Sequence, residues 1–256
     1  MTKDERPRAV TAICGFDADR ISIRGEDLVG DLVGRCSFTE MLLLQSLGER
    51  PSQMRVRIVD AVLVTIMEHG LVPSAVAARL TCHGAPESFQ GAVAAGLLGV
   101  GDRYAGTAAE CGELLERIVA APESERASLA REAVREYRSS RRPVPGFGHP
   151  IHHARDPRVE ALLEVARSAG AAGHHVGAMR LLESSLAEEL GKPLVTNVSA
   201  AIAAVLGEAG IPSGLMRGIV LTARCAGLVG HVFEEMSNPA AHDMWEAARS
   251  AVSYRP

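Results

Sequence analysis

An all-helical fold is predicted by three observations. Hydrophobic residues make up 47% of the 256-residue chain, yet aromatics only 4%, and Ala and Leu recur throughout. That mixture favours closely packed helices over a sheet, which would draw on Val, Tyr and Phe. Apolar residues fall at helical spacing in long segments, as at Val56, Val59, Leu63 and Ile66. Those segments are divided by helix-start and helix-stop signals at readable intervals.

Taken in order, residues 8–25 alternate weakly and turn at Gly15-Phe16-Asp17, which predicts a short hairpin before the helices. Ser37-Phe38-Thr39-Glu40 has capping-box spacing, where Ser and Glu satisfy each other's free backbone amides, and the apolar run Met41–Leu44 follows. A break at Glu49-Arg50-Pro51-Ser52 leads into a helix over 53–68, then others at 74–82, 87–99, 105–120 and 123–138. The stretch from Arg138 to His149 holds two prolines and two glycines and cannot be helical. Asp156-Pro157 restarts a helix, with Asp as N-cap and Pro at the first helical position. That helix ends near Gly170, and others are expected at 174–190, 199–209, 213–236 and 239–250. No internal repeat or low-complexity tail interrupts the series.

Composition excludes several classes of function. A net charge of -4 with no long basic run argues against nucleic acid as a partner. The basic residues are almost all Arg, with Lys only at Lys3 and Lys192, which reflects codon usage more than anion recognition. Five scattered cysteines without a CxxC pair fit reduced thiols in a cytoplasm, not a disulfide framework or a zinc site. The polar start MTKDERPR leads into no apolar segment, so no signal peptide is expected. No membrane span is expected either, since the 216–233 segment carries Arg217, Arg224 and His231.

The loop Gly146-Phe147-Gly148-His149, followed nine residues later by Arg158, concentrates groups suited to an anion or a carbonyl. Glycines let backbone amides approach a ligand, a helix N-terminus attracts a carboxylate or phosphate, and an Arg fork grips a carboxylate. His149 is placed to polarise or protonate an oxygen held there. A structural turn with a solvated His is the alternative reading of the same residues.

PVPGFGHPIHHARDPR resembles the GFGHRVYxxxDPR segment of citrate synthases and citryl-CoA lyases, with the His-to-Arg spacing unchanged. Four further stretches agree in the same order. IRGEDLVGDLVGRCSFTEMLLLQSLGERPS resembles the family's N-terminal region, and GLLGVGDRYAG the GLLxIGDRFGG of citryl-CoA lyase modules, including the citrate-cleaving end of ATP-citrate lyase. NVSAAIAAVL at 197–206 resembles NVDGxIAAVL, and LTARCAGLVGHVFEEM at 221–236 the ARxxGxxAHxxEE helix. The resemblance, closest to the short citryl-CoA lyase type, implies a citrate synthase-like fold. Its large helical domain would comprise 1–110 and 206–256, and its small domain 111–205, carrying the GFGH loop. Homodimers are the family's usual assembly.

The same resemblance implies chemistry on a carbon–carbon bond beside a coenzyme A thioester, with no metal and no covalently bound cofactor. A carboxylate removes a proton, one His stabilises the enol oxygen, a second His protonates the ketone oxygen, and arginines hold a small carboxylated substrate. Carried over by position, the second His is His149 and the clamp arginines are Arg158 and Arg224. Ser199 stands where the proton-abstracting Asp belongs. For the first His the alignments differ. EHGLVPSAVAAR preserves His69 but puts Ala77 at the catalytic place, whereas the synthase pattern puts Tyr104 there. Pro150 replaces the Arg that usually follows the loop His. Val144, Pro145, Gly146, Phe147 and Gly148 would lie against the CoA adenine.

Three readings follow: a lyase or synthase of this type with altered catalytic residues, a different reaction on a carboxylated substrate in the same pocket, or a non-catalytic binding or partner subunit. His69 or His83 is a candidate to replace a missing group. His152-His153 and His174-His175 read as surface residues, Cys82 as a buried thiol, and His231 as a structural hydrogen-bonding group near Glu234 and Glu235. Arg224, inside an apolar helix, calls for a ligand or a buried partner. Arg255 fits the family's tail poorly and carries no role.

Overall fold

The computed structural model describes residues 9–102, 107–148 and 156–255. The chain divides into two compact units, residues 1–57 and 58–256. The first opens with a three-stranded antiparallel sheet, β1 (Cys14–Phe16), β2 (Ile21–Ile23) and β3 (Glu26–Asp27), in the order β1-β2-β3. The turn lies later than the sequence suggests. Phe16 pairs with Ile21, and the Asp17 carboxylate accepts the amides of Asp19 and Arg20, so the reversal occupies 17–20 rather than 15–17. Asp side chains bond backbone amides two and three residues on, and that preference outcompetes the glycine. β3 was not expected; its two residues pair as Ser22 with Asp27 and Ile23 with Glu26.

A single π turn at Leu28–Leu32 follows, started by the Asp27 carboxylate, which accepts the Val29 and Gly30 amides. Helix α1 (Phe38–Leu47) begins with the predicted capping box. The Glu40 amide donates to Ser37 Oγ at 3.2 Å, and the Ser37 amide to Glu40 Oε2 at 2.7 Å. Helix α2 (Gln53–Ile66) carries the boundary between the two units.

The second unit contains α3 (Pro73–Gly84), α4 (Phe89–Leu98), α5 (Thr107–Val119), α6 (Glu123–Ser139), α7 (Pro157–Ser168), α8 (His174–Leu190), α9 (Val198–Glu208), α10 (Ser213–Ser237) and α11 (Ala241–Ala251). The expected helices are all present, with ends within about two residues of those read from the sequence. α10 packs against α3, α4 and α5, while α9 packs against α5, α7 and α8. Residues 200–206 of α9 are all buried, which is why that segment is apolar on every side. α10 is long and apolar enough to meet the dimensions of a membrane span, contrary to expectation. It nonetheless buries Met216, Ile219, Ala223 and Leu228 inside this unit, as a core helix does.

Several helices begin on a carboxylate borrowed from elsewhere. Glu116 of α5 accepts the amide and hydroxyl of Ser213 at the start of α10, both at 2.7 Å. Glu208 at the end of α9 accepts the amides of Gly173, His175 and Val176 at the start of α8. Glu235 takes those of Ala240 and Ala241 at the start of α11. Each satisfies amides that a helix leaves unpaired, with a charge that matches the positive end of its dipole.

Candidate functional site

The glycine-rich loop is strapped to the start of α9. The Gly148 amide donates to the Val195 carbonyl at 2.7 Å, the Asn197 amide to the Gly146 carbonyl at 3.0 Å, and Asn197 Nδ2 to the Gly148 carbonyl at 2.8 Å. Gly146 has φ +89° and lies so close to α9 that a Cβ there would sit 2.7 Å from that of Ala200. Only glycine fits on both counts. Val144, Pro145, Gly146 and Phe147 are buried and Gly148 is half-buried, so the loop is packed rather than mobile surface. At its base, a cavity of about 270 Å³ between α5 and α6 is lined by Glu110, Glu113, Arg117, Tyr137 and Arg142 among others. The Arg142 guanidinium lies over the Tyr137 ring at 4.8 Å.

Asp156 ties α7 to the same place. Its buried carboxylate accepts the Arg158 amide at 3.1 Å and caps α7, as predicted. It also takes both arms of the Arg158 fork, Nε at 2.9 Å and Nη2 at 2.8 Å. Its Oδ2 reaches across to the Val198 amide of α9 at 3.0 Å. Burial opposes ionisation of Asp156, but the bonds from Arg158 and Val198 outweigh it and hold the carboxyl below its usual range. Arg158 therefore has its carboxylate fork engaged within the protein. Ser199, the second residue of α9, donates its amide to Asn197 Oδ1 at 2.9 Å. The structure thus brings together the loop 144–148, Asp156, Arg158 and Ser199.

Arg224 sits in other surroundings. It is 9% exposed on α10, and no carboxylate among the described residues pairs with it. Burial draws its pKa below the ordinary arginine value, opposed among the described residues by the field of Glu68. Glu68 lies in the turn that carries His69, which is exposed; its Oε1 accepts the amides of His69 and Gly70. His231, about two turns along α10, approaches the same Glu68 and accepts from Arg79 Nε at 3.0 Å. Arg79 also donates to Glu234 and Glu235. His231 is the structural hydrogen-bonding group that was expected, but it accepts from Arg79 and lies beside Glu68 instead of bonding Glu234 or Glu235.

His149 and Tyr104 lie outside the described residues, as do His152 and His153. His174 is exposed, but His175 corrects the surface reading. It is half-buried over α9, where a Cβ on Gly207 would lie 2.4 Å from its ring, and burial lowers its pKa. Cys82 is buried as read; His83 is exposed beside the His242 ring, 6.2 Å between centroids. Among the described residues no group of three His, Cys, Asp or Glu is placed to hold a metal. Sequence reasoning passed over Asp156 as more than a cap, and over Glu68 and Arg79 altogether. The polar Arg79 on a helix otherwise rich in Ala, Val and Leu was the available signal for the last.

Comparison with known proteins places this architecture. The model of the citrate synthase C-terminal domain matches residues 18–245. Putative citrate synthase 2 of Mycobacterium tuberculosis is 27% identical over 213 residues, covering 80% of this chain and 54% of its own. Citrate synthase of Haloferax volcanii is 28% identical over 193 residues, covering 73% and 48%. The chain spans about half the length of these curated relatives. The solved structure of citryl-CoA lyase from Hydrogenobacter thermophilus is similar with a TM-score of 0.86 and 32% identity, covering 97% of this chain and 94% of that one. ATP citrate lyase from Methanothrix soehngenii, in complex with citrate and coenzyme A, shares the fold with a TM-score of 0.77 at 19% identity, covering 99% and 42%.

Proposed function

The chain belongs to the citrate synthase family, and from that membership we propose that it makes or breaks a carbon–carbon bond beside a coenzyme A thioester, in the manner of citryl-CoA lyase. Its substrate is a small carboxylated keto or hydroxy acid. The observation that carries this reading is Arg224, a guanidinium 9% exposed with no carboxylate among the described residues paired to it. A buried cation without a partner is costly, and an anionic substrate would supply one. Arg158, whose fork is held by Asp156, would meet a carboxylate through its remaining N–H groups. His149 protonates or polarises the keto oxygen, Tyr104 lines the substrate, and Val144 to Gly148 back the adenine.

With Ser199 at the base position, the proton transfer falls to another group, and His69 is our candidate. The assignment also takes 111–205 as the small domain, a cytoplasmic setting, and a homodimer. The exposed apolar row Val229, Phe233 and Met236 at helical spacing on α10 supports that pairing. A second reading, a different reaction in the same pocket without CoA, is favoured by Ser199, since a hydroxyl is a poor base near neutral pH.

Incubation with citryl-CoA, following acetyl-CoA and oxaloacetate, tests the first reading. Turnover is expected, falling by ~10²–10⁴ in His149→Ala. A folded protein that cleaves nothing, yet is stabilised against heat by keto-dicarboxylates and not by CoA esters, sinks the first reading in favour of the second.

A further inference from the structure

The turn at 67–70 lies directly on α10. At Gly227 a Cβ would be 2.1 Å from the Met67 carbonyl oxygen and 3.2 Å from Glu68 Oε2, so the turn approaches as closely as it does because residue 227 has no side chain. Glu68 then works in two directions. Oε1 accepts the amides of His69 and Gly70 at 2.8 and 2.6 Å. Oε2 lies 3.0 Å from His231 Nε2.

The tautomer of His231 follows from its other neighbour. A guanidinium has only donors, so the bond from Arg79 Nε makes His231 Nδ1 an acceptor, and the proton of the neutral ring must be on Nε2, facing Glu68. Arg79 cannot readily turn away. Its side chain is 4% exposed and is held by Glu234 and by Glu235, itself 2% exposed. Nε2 is buried, yet its N–H points off the line to Oε2, so the contact is close but not an aligned hydrogen bond. Glu68 itself stays ionised: burial opposes this, but His231 and the two amides lower its pKa.

We infer that His231 is a positioning residue. Locked as the Nε2–H tautomer by Arg79, it steers Glu68 and, through Glu68, the turn that presents His69. The link to catalysis rests on the function proposed above; the relay itself does not. A plain packing role for His231 would require neither a fixed tautomer nor a donor at that position.

The test measures hydrogen exchange at the His69 and Gly70 amides in the full, ligand-free chain, together with the imidazole ¹⁵N spectrum. The wild-type ring should show a proton on Nε2. His231→Leu should speed exchange at both amides roughly tenfold or more. His231→Gln, whose side-chain amide can still donate toward Glu68, should recover most of the protection. Unchanged exchange in a folded Leu variant, or a ring protonated on Nδ1, overturns the inference. If the Leu variant does not fold, the wild-type ring spectrum and Glu68→Ala decide in its place, the latter removing the acceptor and being expected to release both amides. Where the wild type cleaves citryl-CoA, His231→Leu should lower kcat about tenfold while KM stays within about twofold. An effect on KM alone overturns the link to His69. Absence of wild-type turnover overturns the proposed function only, because exchange and ring spectra involve no substrate.

Discussion

Arg158 and Arg224 carry the same guanidinium into opposite surroundings. Arg158 lies at a helix start with both arms of its fork on a buried carboxylate, which also holds the neighbouring helix. Arg224 lies mid-helix, more deeply buried, where burial opposes its charge and, among the described residues, the field of Glu68 favours it. The first is arranged as a structural member whose partner is already in place. The second is buried with no carboxylate paired to it among the described residues. Equivalence by motif therefore conceals a difference in what each arginine contributes to stability and to binding.

The largest effect should come from removing the carboxylate under Arg158. Asp156→Ala leaves the guanidinium unpaired, strips the cap from α7 and frees the Val198 amide, so unfolding free energy should drop by about 3 kcal/mol in a denaturant titration. A loss below about 1 kcal/mol would show that the clamp is incidental. Arg224→Met should move stability the other way. Replacing an unpaired, desolvated charge by a chain of similar volume should leave the protein unchanged or stabilise it by up to about 2 kcal/mol, while eliminating thermal stabilisation by keto-dicarboxylates. Marked destabilisation in Arg224→Met would mean that this arginine already has its partner, and the contrast would fail.

A smaller and sharper test uses pH. The folded pKa of Asp156 is depressed, so its contribution is complete above the ordinary aspartate value of 3.8 and is lost as pH falls below that toward the folded value. Asp156→Asn should remove that acid limb from the stability profile. Arg224→Met should leave it intact, since Arg224 stays charged throughout this range.

The helices were legible because their signals are local. The capping box at Ser37–Glu40, the Asp156-Pro157 start and the stop near Gly170 each act within a few residues, and each appears where it was read. Strand β3 was not legible, because two residues carry no periodicity. Nor was the second use of Asp156: its cap on α7 is sequence-local, whereas its bond to Val198 joins positions 42 apart. The bond from Arg79 to His231 spans 152 residues, and no spacing rule reaches that far. What folding adds at the candidate site is therefore the choice of partner, for the conspicuous Asp156 as for the unremarked Glu68 and Arg79.

The strap beside α9 is anchored on a single short stretch of backbone. Residue 148 is pinned to Val195 and Asn197, and residue 156 to Val198, so the chain leaves and returns to one short stretch. Gly148 and Asp156 therefore share one footing: a change that shifts the backbone of residues 195–198 would displace both together, so this short stretch acts as a common hinge pin for the glycine loop and for α7.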